Sequence, residues 1–212
     1  MKRIKTLETR DLYKSADHMW AVLDGEIGQG MLAEIQASGS GLIGLCWYDS
    51  GSRNFYTTTK VETPADLKGL VTRTPGAAPY NESISAMGAT PYNVAWSEVY
   101  NSIQTKAIDA CEVQYTSAVS SHIYEVCKYV TKTEHINLFN CLIAGEAWFK
   151  KLPAEYQQIV LDACYNKAYE NAMSIVAAQA DMEKTLVDNG MTIIEGDKAV
   201  FNEAVAPADE KL

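Results

Sequence analysis

Residues 63–113 read TPADLKGLVTRTPGAAPYNESISAMGATPYNVAWSEVYNSIQTKAIDACEV, and this stretch decides the fold class. Short apolar runs alternate in it with helical patterns. A short helix is predicted to begin with Thr63 as N-cap and Pro64 as first helical residue, and to end at Gly69. Strands are predicted over residues 70–73, 90–95 and 107–113. Because strands that alternate with helices at this spacing favour parallel pairing, the sequence predicts an α/β sheet.

The residues before this stretch predict two helical pieces and a buried strand. Apolar side chains recur at helical spacing from Ser15 to Ala37, with a break at Asp24-Gly25. The apolar run Leu42–Tyr48 predicts a strand that ends in a turn at Asp49–Gly51. The letters of Gly39–Gly44 match a dinucleotide-binding fingerprint, but they precede a strand instead of joining a strand to a helix. We therefore interpret them as a turn.

One long helix dominates the sequence after residue 113. No proline or glycine occurs from Ala154 to Asn189, and small apolar residues keep a three- or four-residue rhythm until Gly190. At ~1.5 Å per residue this helix extends about 50 Å, so we expect it to bridge two lobes or to project into a partner. The other elements predicted here are a helix over 115–125, strands over 129–136, 138–144 and 191–194, and a weakly helical tail.

Composition and charge exclude several classes of protein. The 212 residues are 47% hydrophobic and 21% charged, which is typical of a folded chain. The net charge of −9 would repel a phosphate backbone, so we expect no nucleic-acid partner. The longest run without a polar side chain has eight residues, Gly41–Tyr48, whereas a membrane-spanning helix needs roughly 20.

Neither a signal peptide nor a metal centre is predicted. The first 14 residues are basic but contain no apolar core, so no signal peptide is expected in this chain. The five cysteines form no C-x-x-C pair and the three histidines lie far apart, so we expect no metal and no cofactor. We interpret the cysteines as small buried apolar residues.

Two arginines at the edges of predicted segments are the candidate binding residues. Arg73 ends the strand Leu70–Arg73, and Arg53 follows the strand that is predicted to end at Tyr48. In open α/β sheets, small ligands bind at the carboxyl ends of the strands, and a planar guanidinium suits a carboxylate. No spacing supplies a positioned acid, base or nucleophile, so we expect a binding protein and not an enzyme.

Taken in order, the segments resemble the solute-binding proteins of tripartite ATP-independent periplasmic (TRAP) transporters, the DctP family. The likeness covers about residues 12 to 195. It is carried by Val22–Gly28, Trp47–Phe55, Thr63–Leu70, Arg73–Pro75, Met87–Pro91, Trp96–Tyr100, Ile108–Glu112 and Tyr124–Tyr129.

This resemblance implies a function and a set of binding residues. A member of the family captures a small organic anion, such as an acidic sugar or a dicarboxylate, and delivers it to the membrane subunits of a TRAP permease. Arg73 matches the arginine that forms a salt bridge with the carboxylate, and Arg53 matches a second arginine that contacts the ligand. Trp96 matches an aromatic residue against the ligand, and Glu112 lies in a segment that lines the cleft. Gln114 stands close to where the family usually has an asparagine.

The resemblance also implies a two-lobed periplasmic-binding-protein-like α/β fold with a long helix that spans both lobes. The first lobe is expected to be incomplete, with residues 1–48 and 137–153 as its remnant. Residues 49–136 and 190–212 are expected to form the second lobe, and residues 154–189 the long helix. The expected location is periplasmic, or extracellular and associated with the membrane.

Two alternatives remain open from the sequence. One is an enzyme on an α/β scaffold that acts on organic acids through Glu112 or Asp109. The other is a truncated interaction module that does not take part in transport, in which apolar surface at the incomplete lobe drives formation of a homodimer.

Overall fold

A computed structural model describes residues 12–13 and 15–209. The helices are α1 (Ala16–Asp24), α2 (Glu26–Ala37), α3 (Ala78–Ala86), α4 (Trp96–Gln104), α5 (Tyr115–Ser120), α6 (Glu146–Phe149), α7 (Ala154–Asp188) and α8 (Lys198–Asp209). The strands are β1 (Leu42–Thr57), β2 (Val71–Thr74), β3 (Thr90–Asn93), β4 (Ala110–Val113), β5 (Tyr129–Gly145) and β6 (Thr192–Glu195). Short 3₁₀ helices occupy Pro64–Leu67 and Ile123–Glu125.

The chain divides into two compact units. Unit 1 combines the residues up to Gly51 with Asn137–Ala177, and unit 2 combines Ser52–Ile136 with the residues from Ala178 onward. The chain passes from one unit to the other within β1, β5 and α7. The lobe boundaries expected from the sequence stay a prediction.

Unit 2 is built on a mixed sheet with the strand order β3-β2-β4-β1-β5-β6. β2 runs parallel to both β3 and β4, and β5 runs parallel to β6, as the alternation of strands and helices predicts. β1 runs antiparallel to β4, with Asn54 opposite Val113 and Thr57 opposite Ala110. The predicted α/β sheet is therefore confirmed.

Apolar side chains cover both faces of this sheet. Successive residues of a strand point to opposite faces, and the neighbours Phe55 and Tyr56 are both fully buried in different clusters. Phe55 packs with α3 and α8 through Ile84 and Phe201. The cluster around Tyr56 includes residues of α4, α5 and α7: Val99, Ile103, Ala118 and Leu186.

Unit 1 contains the helix pair α1 and α2 and the first part of β1. Ser15 caps α1 by accepting a hydrogen bond from the His18 backbone N–H at 3.1 Å. The helices approach so closely at Gly28 that a Cβ atom there would lie 2.0 Å from the Leu23 carbonyl oxygen. Trp47 of β1 donates from its indole to the Gly28 carbonyl oxygen at 3.1 Å, which ties the strand to the helix pair.

The predicted turn at Asp49–Gly51 is wrong, because β1 continues through it to Thr57. The Asp49 carboxylate accepts the Gly51 N–H at 2.8 Å, and Gly51 adopts φ +86° without the steric penalty of a side chain. Residues 54–57 then pair with β4, which keeps the strand extended. Arg53 consequently lies inside β1 and not beyond its end.

Three further predictions need correction in detail. The strands predicted over 129–136 and 138–144 form the single strand β5. The helix predicted over 115–125 is interrupted at His122, where φ is +53°, a left-handed conformation that an α-helix does not contain. The helix predicted after Thr63 is a 3₁₀ helix.

Other predictions are confirmed. α1 and α2 are separated at Gly25, and α7 is one helix of 35 residues. Within the described ranges, no helix is both long and apolar enough to cross a bilayer. The interpretation of the first 14 residues falls mainly outside the described residues.

Candidate functional site

The topology of unit 2 brings the ends of several strands to one edge of the sheet. Because β2 and β4 are parallel, Arg73 near the end of β2 and Glu112 near the end of β4 lie at the same edge. β1 is antiparallel to β4, so the part of β1 around Arg53 lies at that edge as well. Three of the predicted site residues are thus brought together, and this edge is the candidate site.

Arg53 and Glu112 form a buried ion pair. The Arg53 Nε donates to Glu112 Oε2, and Nη2 donates to Oε1 at 2.7 Å, so that the guanidinium and the carboxylate meet in a two-point fork. The same Nη2 also donates to the Glu112 carbonyl oxygen. Both side chains are buried, with exposed fractions of 6% and 1%. The charge of Arg53 is therefore matched within the protein.

The ion pair shifts the pKa values of both partners toward their charged forms. Burial raises the pKa of Glu112, but the attraction of Arg53 and the hydrogen bond with His135 outweigh burial, and the pKa lies below its usual range. Burial lowers the pKa of Arg53, and the attraction of Glu112 more than compensates. Glu112 is accordingly a buried carboxylate that stays ionised at neutral pH.

His135 is a third member of this cluster that the sequence analysis did not single out. Its Nε2 lies 3.5 Å from Glu112 Oε2, and its Nδ1 lies 2.7 Å from the Thr133 hydroxyl oxygen. The ring stacks on Phe55, with 4.8 Å between the ring centroids. The sequence signal for His135 is weak, because it consists only of the alternation of Thr131, Thr133 and His135 along a predicted strand. In the structure all three side chains are fully buried.

Arg73 lies in a different electrostatic environment. Only 7% of it is exposed, and its Nε donates to the Val94 carbonyl oxygen at 3.1 Å. Its guanidinium carbon lies 5.4 Å from the centroid of the Trp96 ring. No acidic side chain of the described residues forms an ion pair with it. Four of its five N–H groups, those on Nη1 and Nη2, make no hydrogen bond within the described chain.

The surroundings of Arg73 make its positive charge costly. Burial is the largest effect and lowers the pKa of Arg73; the negative charge of Glu112 partly opposes this, and the positive charge of Arg53 adds to it. Arginine nonetheless stays protonated at neutral pH because its ordinary pKa is so high. Among the described residues this buried cation has no matching anion, and a carboxylate is the kind of group that would neutralise it.

The two remaining predicted site residues lie at the ends of nearby elements. Trp96 is the first residue of α4, is half-buried, and donates from its indole to the Ser121 hydroxyl at 3.1 Å. Gln114 follows β4, is buried, and precedes the first residue of α5. The Ser117 hydroxyl donates to its side-chain oxygen at 3.5 Å.

Tyr80 and Asn54 also belong to the edge and were not predicted. The Arg53 guanidinium carbon lies 5.2 Å from the centroid of the Tyr80 ring, which belongs to α3. Asn54 accepts a hydrogen bond from the Glu134 backbone N–H at 3.1 Å and so links β1 to β5. The described residues contain no group of three side chains that could hold a metal ion.

Comparison with known proteins identifies a family. The model of DctP, "bacterial extracellular solute-binding protein, family 7", matches residues 2–212. A solute-binding protein of Chromohalobacter salexigens is 37% identical over 199 residues, which make up 92% of this chain and 58% of that protein. The chain thus spans about six tenths of the length of the curated relatives it matches.

Solved structures show the same fold. A TRAP periplasmic solute-binding protein of Pseudomonas putida, with bound D-glucuronate, matches with a TM-score of 0.92 and 30% identity over 99% of this chain and 69% of that one. One from Roseobacter denitrificans, with bound L-galactonate, matches with a TM-score of 0.90 and 30% identity over 98% and 69% of the two chains. Both neighbours are periplasmic solute-binding proteins.

Proposed function

Because the chain belongs to bacterial extracellular solute-binding protein family 7, we propose that it captures a small organic carboxylate for transport. The ligand would be held through a salt bridge to Arg73 and delivered to the membrane permease of a TRAP transporter. The expected location is the periplasm or the outer face of the membrane. The observation that carries the proposal is the buried guanidinium of Arg73, which has no acidic partner among the described residues.

The geometry around Arg73 supports recognition of a carboxylate. Its Nε is anchored on the Val94 carbonyl oxygen, so the guanidinium has a fixed orientation. The N–H groups on Nη1 and Nη2 form a planar fork that matches the two oxygens of a carboxylate. In a buried site such a charge-assisted pair is stronger than in water, because the effective dielectric constant is lower.

The other edge residues have supporting roles in the proposal. Trp96 would present its aromatic face to the carbon skeleton of the ligand. Arg53, which Glu112 orients, and Gln114 would offer hydrogen bonds to polar groups next to the carboxylate. Glu112 itself would act through Arg53 and not by touching an anionic ligand, since two carboxylates repel each other.

Thermal unfolding in the presence of organic acids tests this function. We expect D-glucuronate or L-galactonate to raise the melting temperature, with about 2.7 kcal/mol of stabilisation at a ligand concentration of 100 times Kd. Arg73→Ala should lose this shift, and Arg73→Lys should lose most of it because lysine lacks the fork. Lys106→Ala removes an exposed cation from unit 2 and should behave like the parent protein.

Two results would contradict the proposal. An unchanged ligand shift in Arg73→Ala, in a variant that still unfolds cooperatively, would show that Arg73 does not hold the carboxylate. A parent protein that none of the organic acids stabilises would refute carboxylate capture by this chain.

A further inference from the structure

We propose that Cys111 and Cys127 form a disulfide bond when the protein folds in an oxidising environment. The bond would tie β4 to the segment that leads into β5. It lies outside the proposed function, because neither cysteine contacts the carboxylate in that proposal. Disulfide bonds persist in oxidising compartments such as the bacterial periplasm, which is the location expected for this chain.

The strand pairing of unit 2 brings the two cysteines to the same part of β1. Cys111 of β4 lies directly opposite Tyr56 of β1. Lys128, the residue after Cys127, donates its backbone N–H to the carbonyl oxygen of Thr57 at 3.0 Å. Because Thr57 follows Tyr56, and β1 lies between β4 and β5, the backbone holds one cysteine on each side of this short part of β1.

The side chains of the two cysteines meet in the apolar cluster around Tyr56. Cys111 is fully buried, and only 3% of Cys127 is exposed. Their thiols form a hydrogen bond, which is the main reason why the pKa of Cys111 lies well above its usual value, and burial of the thiol adds to the shift. The two sulfur atoms are therefore in contact, and a covalent bond between them requires only a small further approach.

The backbone around Cys127 permits this approach. Cys127 lies between the 3₁₀ helix Ile123–Glu125 and β5, and its N–H donates to the Ile123 carbonyl oxygen at 2.9 Å. The residue pairs of β5 with β6 begin at Tyr129. A small shift of Cys127 toward Cys111, which would bring the two side chains into bonding geometry, therefore leaves the pairing of β5 with β6 in place.

The distribution of the cysteines favours this pairing over others. Cys111 and Cys127 are the cysteines of unit 2, whereas Cys46, Cys141 and Cys164 belong to unit 1. While unit 2 folds, each of its two thiols therefore has the other as its partner. The bond closes a loop of about 15 residues, and such a link restrains the unfolded chain and so stabilises the folded one.

The bond forms by thiol–disulfide exchange with a donor disulfide, such as oxidised glutathione or a disulfide oxidoreductase. One cysteine thiolate attacks a sulfur of the donor, which gives a mixed disulfide and releases one donor thiolate. The second cysteine thiolate then attacks the protein sulfur of the mixed disulfide, so that the bond between Cys111 and Cys127 forms and the other donor thiolate leaves. The two cysteines lose two protons and two electrons in all, and the donor takes them up as two thiols. Because both cysteines are buried in the folded protein, the exchange takes place before unit 2 has closed.

Mass spectrometry of the refolded protein tests the inference. The reduced protein is unfolded in urea, refolded with reduced and oxidised glutathione at about pH 8, near the ordinary cysteine pKa of about 8.5, and then alkylated with iodoacetamide in urea. Trypsin releases residues 107–128 as one peptide, which contains both cysteines and no internal lysine or arginine. We expect this peptide to carry no alkyl group and to be two hydrogen atoms lighter than its dithiol form. After reduction it should take up two alkyl groups.

Thermal unfolding followed by circular dichroism measures the effect of the bond on stability. We expect a reductant to lower the melting temperature of the oxidised parent protein by about 6–12 °C. Cys127→Ala should lose this response to the reductant. Cys164→Ala removes a half-buried cysteine of unit 1 and should keep it.

Two results would overturn the disulfide bond. One is a tryptic peptide that carries two alkyl groups without prior reduction, and the other is a bond from either cysteine to a cysteine of unit 1. If Cys127→Ala does not fold, the peptide masses of the parent protein decide the matter alone. Failure of this inference leaves the proposed function intact, because the thermal shift with organic acids depends on Arg73 and not on either thiol.

Discussion

Arg53 and Arg73 have the same side chain but opposite surroundings, and the strand register explains the difference. β4 lies between β1 and β2, with Glu112 opposite Phe55 of β1 and Cys111 opposite Arg73 of β2. Neighbouring residues of a strand point to opposite faces, so Cys111 and Glu112 face different sides of the sheet. The acid is therefore supplied to Arg53, and the charge of Arg73 is not matched by any acid of the described residues.

The lowered pKa of Glu112 predicts how stability depends on pH. A carboxyl group with a lowered pKa in the folded state contributes stability above its ordinary value of about 4.3, and that contribution is lost as pH falls through the lowered value. Glu112→Gln should cost about 3–5 kcal/mol at pH 7, because it leaves Arg53 buried without its anion. The penalty should shrink as the pH falls toward 2.

Urea unfolding of the parent protein and the variant at pH 7, 5, 4 and 3 measures this dependence. Glu98→Gln serves as the control, because Glu98 is exposed and its replacement should not change the slope. A constant difference in unfolding free energy between the parent protein and Glu112→Gln over this range would contradict the prediction.

The sequence predicted the position of Arg73 in its strand better than the position of Arg53. Arg73 follows a short apolar run, and the rule that ligands bind at the carboxyl ends of strands then singles it out. The partner of Arg53 is 59 residues away in the sequence, and no local pattern connects the two residues. The contribution of His135 depends on the same long-range pairing, so it was missed for the same reason.

At the scale of elements, the contact between α1 and α2 predicts that replacing two glycines of α2 by alanine has opposite effects on stability. A Cβ at Gly28 would lie 2.0 Å from the Leu23 carbonyl oxygen, whereas nothing lies within 4 Å of a Cβ at Gly30. Gly28→Ala should destabilise the protein by about 1–3 kcal/mol, because backbone must move. Gly30→Ala should stabilise it by about 0.5–1 kcal/mol, because alanine is the better helix former.

Chemical denaturation of the two variants, with the parent protein as reference, checks this pair. Since both substitutions are glycine to alanine in α2, the difference between them isolates the contact with α1. Equal changes in unfolding free energy would show that the two helices do not approach each other closely at Gly28.

The lengths of the elements were predicted unevenly. α7 was predicted almost to the residue, because 35 residues without proline or glycine leave few alternatives. The end of β1 was predicted wrongly, because Asp49-Ser-Gly51 has the composition of a turn. Pairing of residues 54–57 with β4 overrides that local preference, and a pattern of neighbouring residues does not contain this information.

At the scale of the whole molecule, apolar side chains are exposed mainly in unit 1. On α7 they form a stripe at three- or four-residue spacing: Tyr165 45%, Tyr169 48%, Met173 52% and Val176 62% exposed. Exposed apolar surface of this kind favours association, so we expect that a homodimer, an alternative left open by the sequence, would form through this stripe. Met173→Lys and Val176→Lys should then weaken association.

Sedimentation velocity over a range of protein concentrations measures this association. Val187→Lys is a matched control, because Val187 is 49% exposed on the same helix but belongs to unit 2. A parent protein that sediments as a monomer at every concentration would contradict the prediction, and so would Val187→Lys with the same effect as Met173→Lys.

The pairing of β1 with β4 and β5 has a consequence for synthesis. Arg53 emerges from the ribosome 59 residues before Glu112, and His135 follows later still. At roughly 5–20 residues per second, the growing chain carries Arg53 in water for several seconds before its acid is made. A nascent chain that stops short of residue 112 therefore lacks the carboxylate that matches the charge of Arg53, and the buried ion pair forms only in the later stages of translation.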